Sequence, residues 1–184
     1  MNKLKWRPVV CISDANHSPK TEVYMKESVI DVLMYIFSSY MDRDDTLPED
    51  RESIDTDLRE AGFEPQEIDK AFDWLDDLAT AEDIPSIEQS TNSIRIYSTR
   101  EQHRLDNKVQ GFLLFLEQSG VLTPELRELV INRIMALDGD SMVDMEEFRW
   151  VVMMVLFNNA IDQDENTLMH YEDIVFADQP AIFH

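Results

Sequence analysis

Eight consecutive apolar residues, Trp150 to Phe157 in "WVVMMVLF", constrain this chain more than any other feature. A surface helix keeps a polar face, and this run has none past Trp150, so it predicts a helix from Met145 to about Phe157 at the centre of a bundle. Spanning a bilayer takes roughly 20 such residues, which removes that alternative. The rest of the chain must then supply amphipathic helices to cover the central one.

It does. From Met25 the apolar period is helical, with Val29, Val32, Leu33, Ile36, Phe37 and Tyr40 on one face. "MDRDDTLPED" breaks that pattern, and Pro48 suits the first turn of a second helix carrying Ile54, Leu58 and Ala61, ended by Gly62. A third helix opens at Pro65, with Phe63 stapling onto Ile68 and Ile68, Phe72, Leu75 and Ala79 facing inward. The pattern then changes. "IPSIEQ" and "SIRIY" are short and enriched in β-branched residues, with the turn-prone "STNS" between them, which predicts a small hairpin. Three helices and a hairpin make the order of a winged helix, but its groove-reading third helix would carry Glu64, Glu67, Asp69, Asp73, Asp76 and Asp77 against Lys70 alone. A phosphate backbone repels such a helix.

The second half is helical again. Ser98 stands three residues before Glu101, a capping-box spacing that opens a fourth helix burying Leu105, Val109, Phe112, Leu113 and Leu116 and stopping at Gly120. Thr123 and Pro124 start a fifth, with Leu126, Leu129, Val130, Ile134 and Leu137 inward, and "NTLMHYEDIVF" predicts a short terminal helix after the central one. The class expected is therefore mainly α. It is a helical bundle with a winged-helix-like half over 25–97 and a three- to four-helix half over 98–184. Residues 1–24 differ from both: Lys3, Lys5, Arg7 and Lys20 outnumber Asp14 and Glu22, whereas the whole chain carries −22. They are expected to be a flexible extension, or the product of a start upstream of Met25.

Charge and composition narrow the chemistry. At −22, any partner is expected to be a protein with a basic surface, nucleic acid is disfavoured, and no membrane is expected. The one cysteine, Cys11, allows no disulfide framework and suits the cytoplasm. Four glycines cannot build a P-loop or a dinucleotide fingerprint, and the four histidines are scattered, so no cofactor, metal or catalytic residue is assigned. "ALDGDSMVDMEEF", Ala136 to Phe148, resembles half of an EF-hand, but Ala136 stands at its first ligand position and Ser141 at its glycine. Its acids are better explained as a turn followed by a helix cap made by Asp144 and Glu147. The one basic stripe is Arg100, Arg104 and Lys108, at i, i+4 and i+8 of the fourth helix, which Arg95 can join. Those four residues are the candidate anion or partner contact. The other reading of them is an internal electrostatic seam, pairing with acids such as those of the third helix.

The stretches "DVLMYIF", "DLREAGF", "AFDWLDDL", "SIRIYS", "RLDNKVQGFLLFLEQSGVL" and "RWVVMMVLFN" resemble the bacterial Smg protein family. The resemblance covers most of residues 25–158. It implies helical content and a start close to "DVLMY", but brings no established activity, cofactor or catalytic residue. Smg proteins are often encoded beside a DNA-processing protein. The function expected is a non-enzymatic, acidic protein-interaction module; the rival is a nucleic-acid-associated winged-helix-type protein linked to DNA processing.

Overall fold

The computed structural model describes residues 28–41, 51–81, 95–139, 141–159 and 165–176. They form the helices α1 (Val29–Met41), α2 (Arg51–Ala61), α3 (Pro65–Ala79), α4 (Thr99–Arg104), α5 (Asn107–Gln118), α6 (Pro124–Met135), α7 (Met145–Asn159) and α8 (Glu165–Val175).

The apolar run sits where its composition requires. Phe148 and every residue from Val151 to Leu156 are buried in α7, and α1, α3, α5, α6 and α8 all pack against this helix. Aromatic edges lock its outer end, with Trp150 meeting both Phe37 of α1 and Phe176, and Phe157 meeting Phe37. Two polar bonds fix the depth of α3 in this packing: the Trp74 indole donates to the Arg133 carbonyl at 3.0 Å, and the Asn158 amide donates to the Leu78 carbonyl at 3.3 Å. No helix among the described residues is long and apolar enough to cross a membrane.

Caps read from the sequence set several boundaries. Gly62 ends α2 at φ 101°, with its N–H on the Arg59 carbonyl and that of Phe63 on the Leu58 carbonyl. Gly120 closes α5 by the same two-bond pattern at φ 77°, a left-handed conformation that costs a residue with a Cβ more. Thr123 caps α6 by accepting from the Leu126 N–H, and Pro124 takes its first position. Asp144 and Glu147 cap α7 reciprocally: the Asp144 N–H donates to Glu147 Oε2 at 3.0 Å and the Glu147 N–H to Asp144 Oδ1 at 2.8 Å. That is the helix-start explanation of the EF-hand-like stretch.

Three expectations are corrected. The fourth helix is two. Asp106 accepts from the N–H groups of Lys108 and Val109 and so starts α5 afresh, while Leu105 turns extended and buries completely. Secondly, the winged-helix hairpin finds no support. Residues 82–94 lie outside the described residues, and 95–98 form no strand; the chain there runs straight into the α4 capping box of Ser98 and Glu101. No strand occurs among the described residues. Finally, Ala61 and Ala79, expected on buried stripes, are exposed. The expected first turn at Pro48, and residues 1–27, also lie outside the described residues.

Candidate functional site

The break at Leu105 separates the four candidate cations. Arg100 and Lys108 are exposed, on different helices, while Arg95 and Arg104 are turned inward. A single stripe needs an unbroken helix, and Asp106 interrupts it.

Arg95 holds three segments together. Its guanidinium donates to Glu101 of α4 at 2.7 Å and to Glu128 of α6 at 2.9 Å, and stacks over Tyr97 at 4.5 Å. Glu128 also accepts from Arg127 at 2.8 Å, and Arg127 from a buried position reaches Glu117 of α5 at 2.7 Å. Of the four candidate residues Arg95 enters this set of ion pairs, whose acids come from α4, α5 and α6 rather than α3, while Arg100 and Lys108 are exposed. Hydrogen bonds from Arg95 hold the Glu101 carboxyl at about 2, against the opposing effect of its own burial. For Glu128, burial pushes the carboxyl up, but the bonds from Arg95 and Arg127 outweigh it and keep it below the usual range. The sequence carries a signal for Arg127: it stands four and seven residues before the buried Ile131 and Ile134, on the inward face of α6.

Arg104 is the more unusual cation. It is 7% exposed, its Nη2 donates to the Ile134 and Leu137 carbonyls at 3.2 and 3.3 Å, and its Nε has no acceptor. Among the described residues no carboxylate pairs with it. The Arg104 carbonyl accepts from the Val143 N–H at 3.0 Å, which ties the α4–α5 break to the α6–α7 junction.

Arg104 lines a cleft of about 430 Å³ where the start of α1, the first turns of α3 and the α6–α7 junction meet. Among the described residues, four carboxylates, Asp31, Glu67, Asp138 and Glu147, line it with two cations, Lys70 and Arg104. Lys70 is already engaged, by Glu67 at 2.9 Å and Asp138 at 2.7 Å. Asp31 gives one oxygen, Oδ2, to the Ser28 N–H and hydroxyl, which caps α1. Burial, joined by the charges of Asp144 and Asp31, pushes the Glu147 carboxyl up despite the Asp144 N–H and the Arg104 charge. Among the described residues no three His, Cys, Asp or Glu side chains gather as metal ligands; Asp140 lies outside them.

The outer faces of α2 and α3 carry the opposite of what a groove reader needs. Asp57 and Glu60 on α2, and Asp69, Asp73, Asp76 and Asp77 on α3, are all exposed. Asp76 and Asp77 meet Arg51 and Arg133 only at 3.5 Å. Asp69 and Asp73 stand one turn apart on the same face.

Comparison with known proteins gives a family. Residues 29–184 match the family described as "Protein of unknown function (DUF494)". The chain is similar to "Protein Smg homolog" of Alkalilimnicola ehrlichii, 46% identical over 160 residues, and to that of Thioalkalivibrio sulfidiphilus, 46% identical over 161 residues. It is 45% identical over 162 residues to that of Stenotrophomonas maltophilia. Each of these alignments covers 87% of this chain and the whole of the relative. No solved structure matches it.

Proposed function

For a chain that belongs to the DUF494 family of Smg homologues, we propose the role of a non-enzymatic, acidic protein-interaction module whose partner presents a basic surface. The observation that carries this reading is the sorting of charge between inside and outside. Arg95 and Arg127 are taken up inside by Glu101, Glu117 and Glu128, whereas on α2 and α3 the exposed acids Asp57, Glu60, Asp69, Asp73, Asp76 and Asp77 outnumber the exposed cations Arg51, Arg59 and Lys70, and this acidic face is the contact surface of the proposal. Such a surface steers cationic partners and repels phosphate backbones. The module is placed in the cytoplasm on its single cysteine, Cys11.

The rival, a nucleic-acid-associated winged-helix-type protein linked to DNA processing, retains the exposed Arg100 and Lys108. A low-salt gel shift with duplex DNA tests it. The interaction-module reading expects no retained complex. A complex released by Arg100→Glu together with Lys108→Glu, and lost as salt rises, would favour the rival.

A further inference from the structure

The turn after α6 contains the one step in the sequence at which an aspartate or asparagine precedes glycine, Asp138–Gly139. Such a step has a chemistry of its own. A backbone nitrogen can attack the carboxyl carbon of the preceding aspartate, and the main obstacle is a side chain on the attacking residue. Glycine removes that obstacle.

The fold leaves the step open to this reaction. Asp138 and Gly139 are both exposed, and the Asp138 side chain is 61% accessible, so water reaches it. Gly139 takes φ 100°, a conformation that glycine adopts without steric cost. Among the described residues, the group nearest to where a Cβ on Gly139 would stand is the Ser141 hydroxyl, at 3.8 Å. The junction is pinned on either side of the step by Arg104, which donates to the Leu137 carbonyl at 3.3 Å and whose own carbonyl accepts from the Val143 N–H at 3.0 Å. At the step, the Asp138 carboxylate is held by the Lys70 ammonium, Oδ2 to Nζ, at 2.7 Å.

We propose that Asp138–Gly139 is a site of isoaspartate formation in the folded chain, restrained by the Lys70 ion pair. The Gly139 nitrogen bonds to the side-chain carboxyl carbon of Asp138, and its proton leaves with one carboxyl oxygen as water. The product is a five-membered succinimide. Water then adds at the former backbone carbonyl and breaks its bond to the Gly139 nitrogen, so the chain continues through the side-chain carbonyl. The two steps lose and regain one water, and the mass returns to its starting value. The carboxyl that Lys70 held has become the peptide link, and the backbone of the α6–α7 junction is longer by one methylene. Conversion therefore removes the ion pair that ties α3 to this junction. Ring closure requires the carboxyl to leave Lys70 and turn back onto its own chain, which makes the pair a restraint on the rate. For an exposed pair that restraint is worth up to about fivefold.

The test is to age the full chain in neutral buffer for weeks and label new isoaspartate with an isoaspartyl methyltransferase and a radioactive methyl donor. Fragmentation mass spectrometry of the tryptic peptide Ile134–Arg149 then assigns the position. Isoaspartate is expected at 138, ahead of Asp140 and Asp144 in the same peptide. Asp138→Glu keeps a carboxylate for Lys70 but would have to close a six-membered ring, and should clear the label from this peptide. Lys70→Gln should speed conversion by about two- to fivefold in the folded chain and leave it unchanged in urea, where the pair does not exist. An aged chain without isoaspartate at 138, or a peptide still labelled after Asp138→Glu, overturns the site. Equal rates in the folded parent and Lys70→Gln, or an acceleration that persists in urea, overturn the restraint.

Discussion

Phe148→Ala is expected to lower the free energy of unfolding by roughly 3–5 kcal/mol, the cost of emptying a large aromatic site in a close-packed core. Phe148 is completely buried in the first turns of α7, and its ring meets the edge of Phe112 of α5 at 6.1 Å between centroids. The cavity would open in the helix that five others pack against, where the surroundings have little freedom to collapse. Denaturant unfolding gives the value. Leu114→Ala on the exposed side of α5, where Leu114 is 51% accessible, provides the contrast and should fall within about 0.5 kcal/mol of the parent. A small effect at Phe148 would mean that α7 is not the centre of the fold.

Arg95→Met should cost about 2 kcal/mol at neutral pH, between the 3–5 of a broken buried pair and the 0–1 of an exposed one. The intermediate value follows from exposure: the side chains of Arg95 and Glu101 are each 18% accessible, and that of Glu128 is 27%. The loss should depend on pH in a definite direction. Glu101 has its folded-state carboxyl held down at about 2, and Glu128 is also held below its usual range. A carboxyl depressed on folding contributes stability above its unfolded pKa, near 4.5 for Glu101, and loses it as pH falls through the folded value. The gap between parent and variant should therefore be full at neutral pH and close between about pH 4.5 and 2. Thermal unfolding across that window measures it; a gap that widened on acidification would assign Arg95 another role.

What the sequence disclosed and what it hid follow from the range of the forces involved. Periodicity and caps are local, so the central helix, the Thr123 and Ser98 starts, the Asp144–Glu147 box and the stops at Gly62 and Gly120 could be read directly. The break at Leu105 was local too. Its signal, Asp106 and Asn107 at a helix start, was masked by an apolar period of Leu105, Val109 and Phe112 that continues across the break as if the helix did. The apparent stripe of Arg100, Arg104 and Lys108 follows from that continued period. The cleft could not be read at all, because Ser28 to Asp31, Glu67, Lys70, Arg104, Leu137 to Gly139, Ser141 to Val143 and Glu147 meet only through tertiary packing. The partners of Arg127 were hidden for the same reason: its place on the inward face was legible, but not that Glu117 and Glu128 would reach it.

The most direct test of the acidic-module account is titration of the full chain with a lysine-rich polypeptide at low salt, comparing the parent with Asp69→Lys/Asp73→Lys and with Glu172→Lys/Asp173→Lys on α8. All four positions are exposed, and the two variants change the net charge equally. The account predicts that reversal on α3 weakens binding by more than tenfold while reversal on α8 changes it by no more than a general screening effect, about twofold. Equal losses from the two variants would mean that only total charge matters, and would contradict the claim that the α2–α3 face is the contact surface.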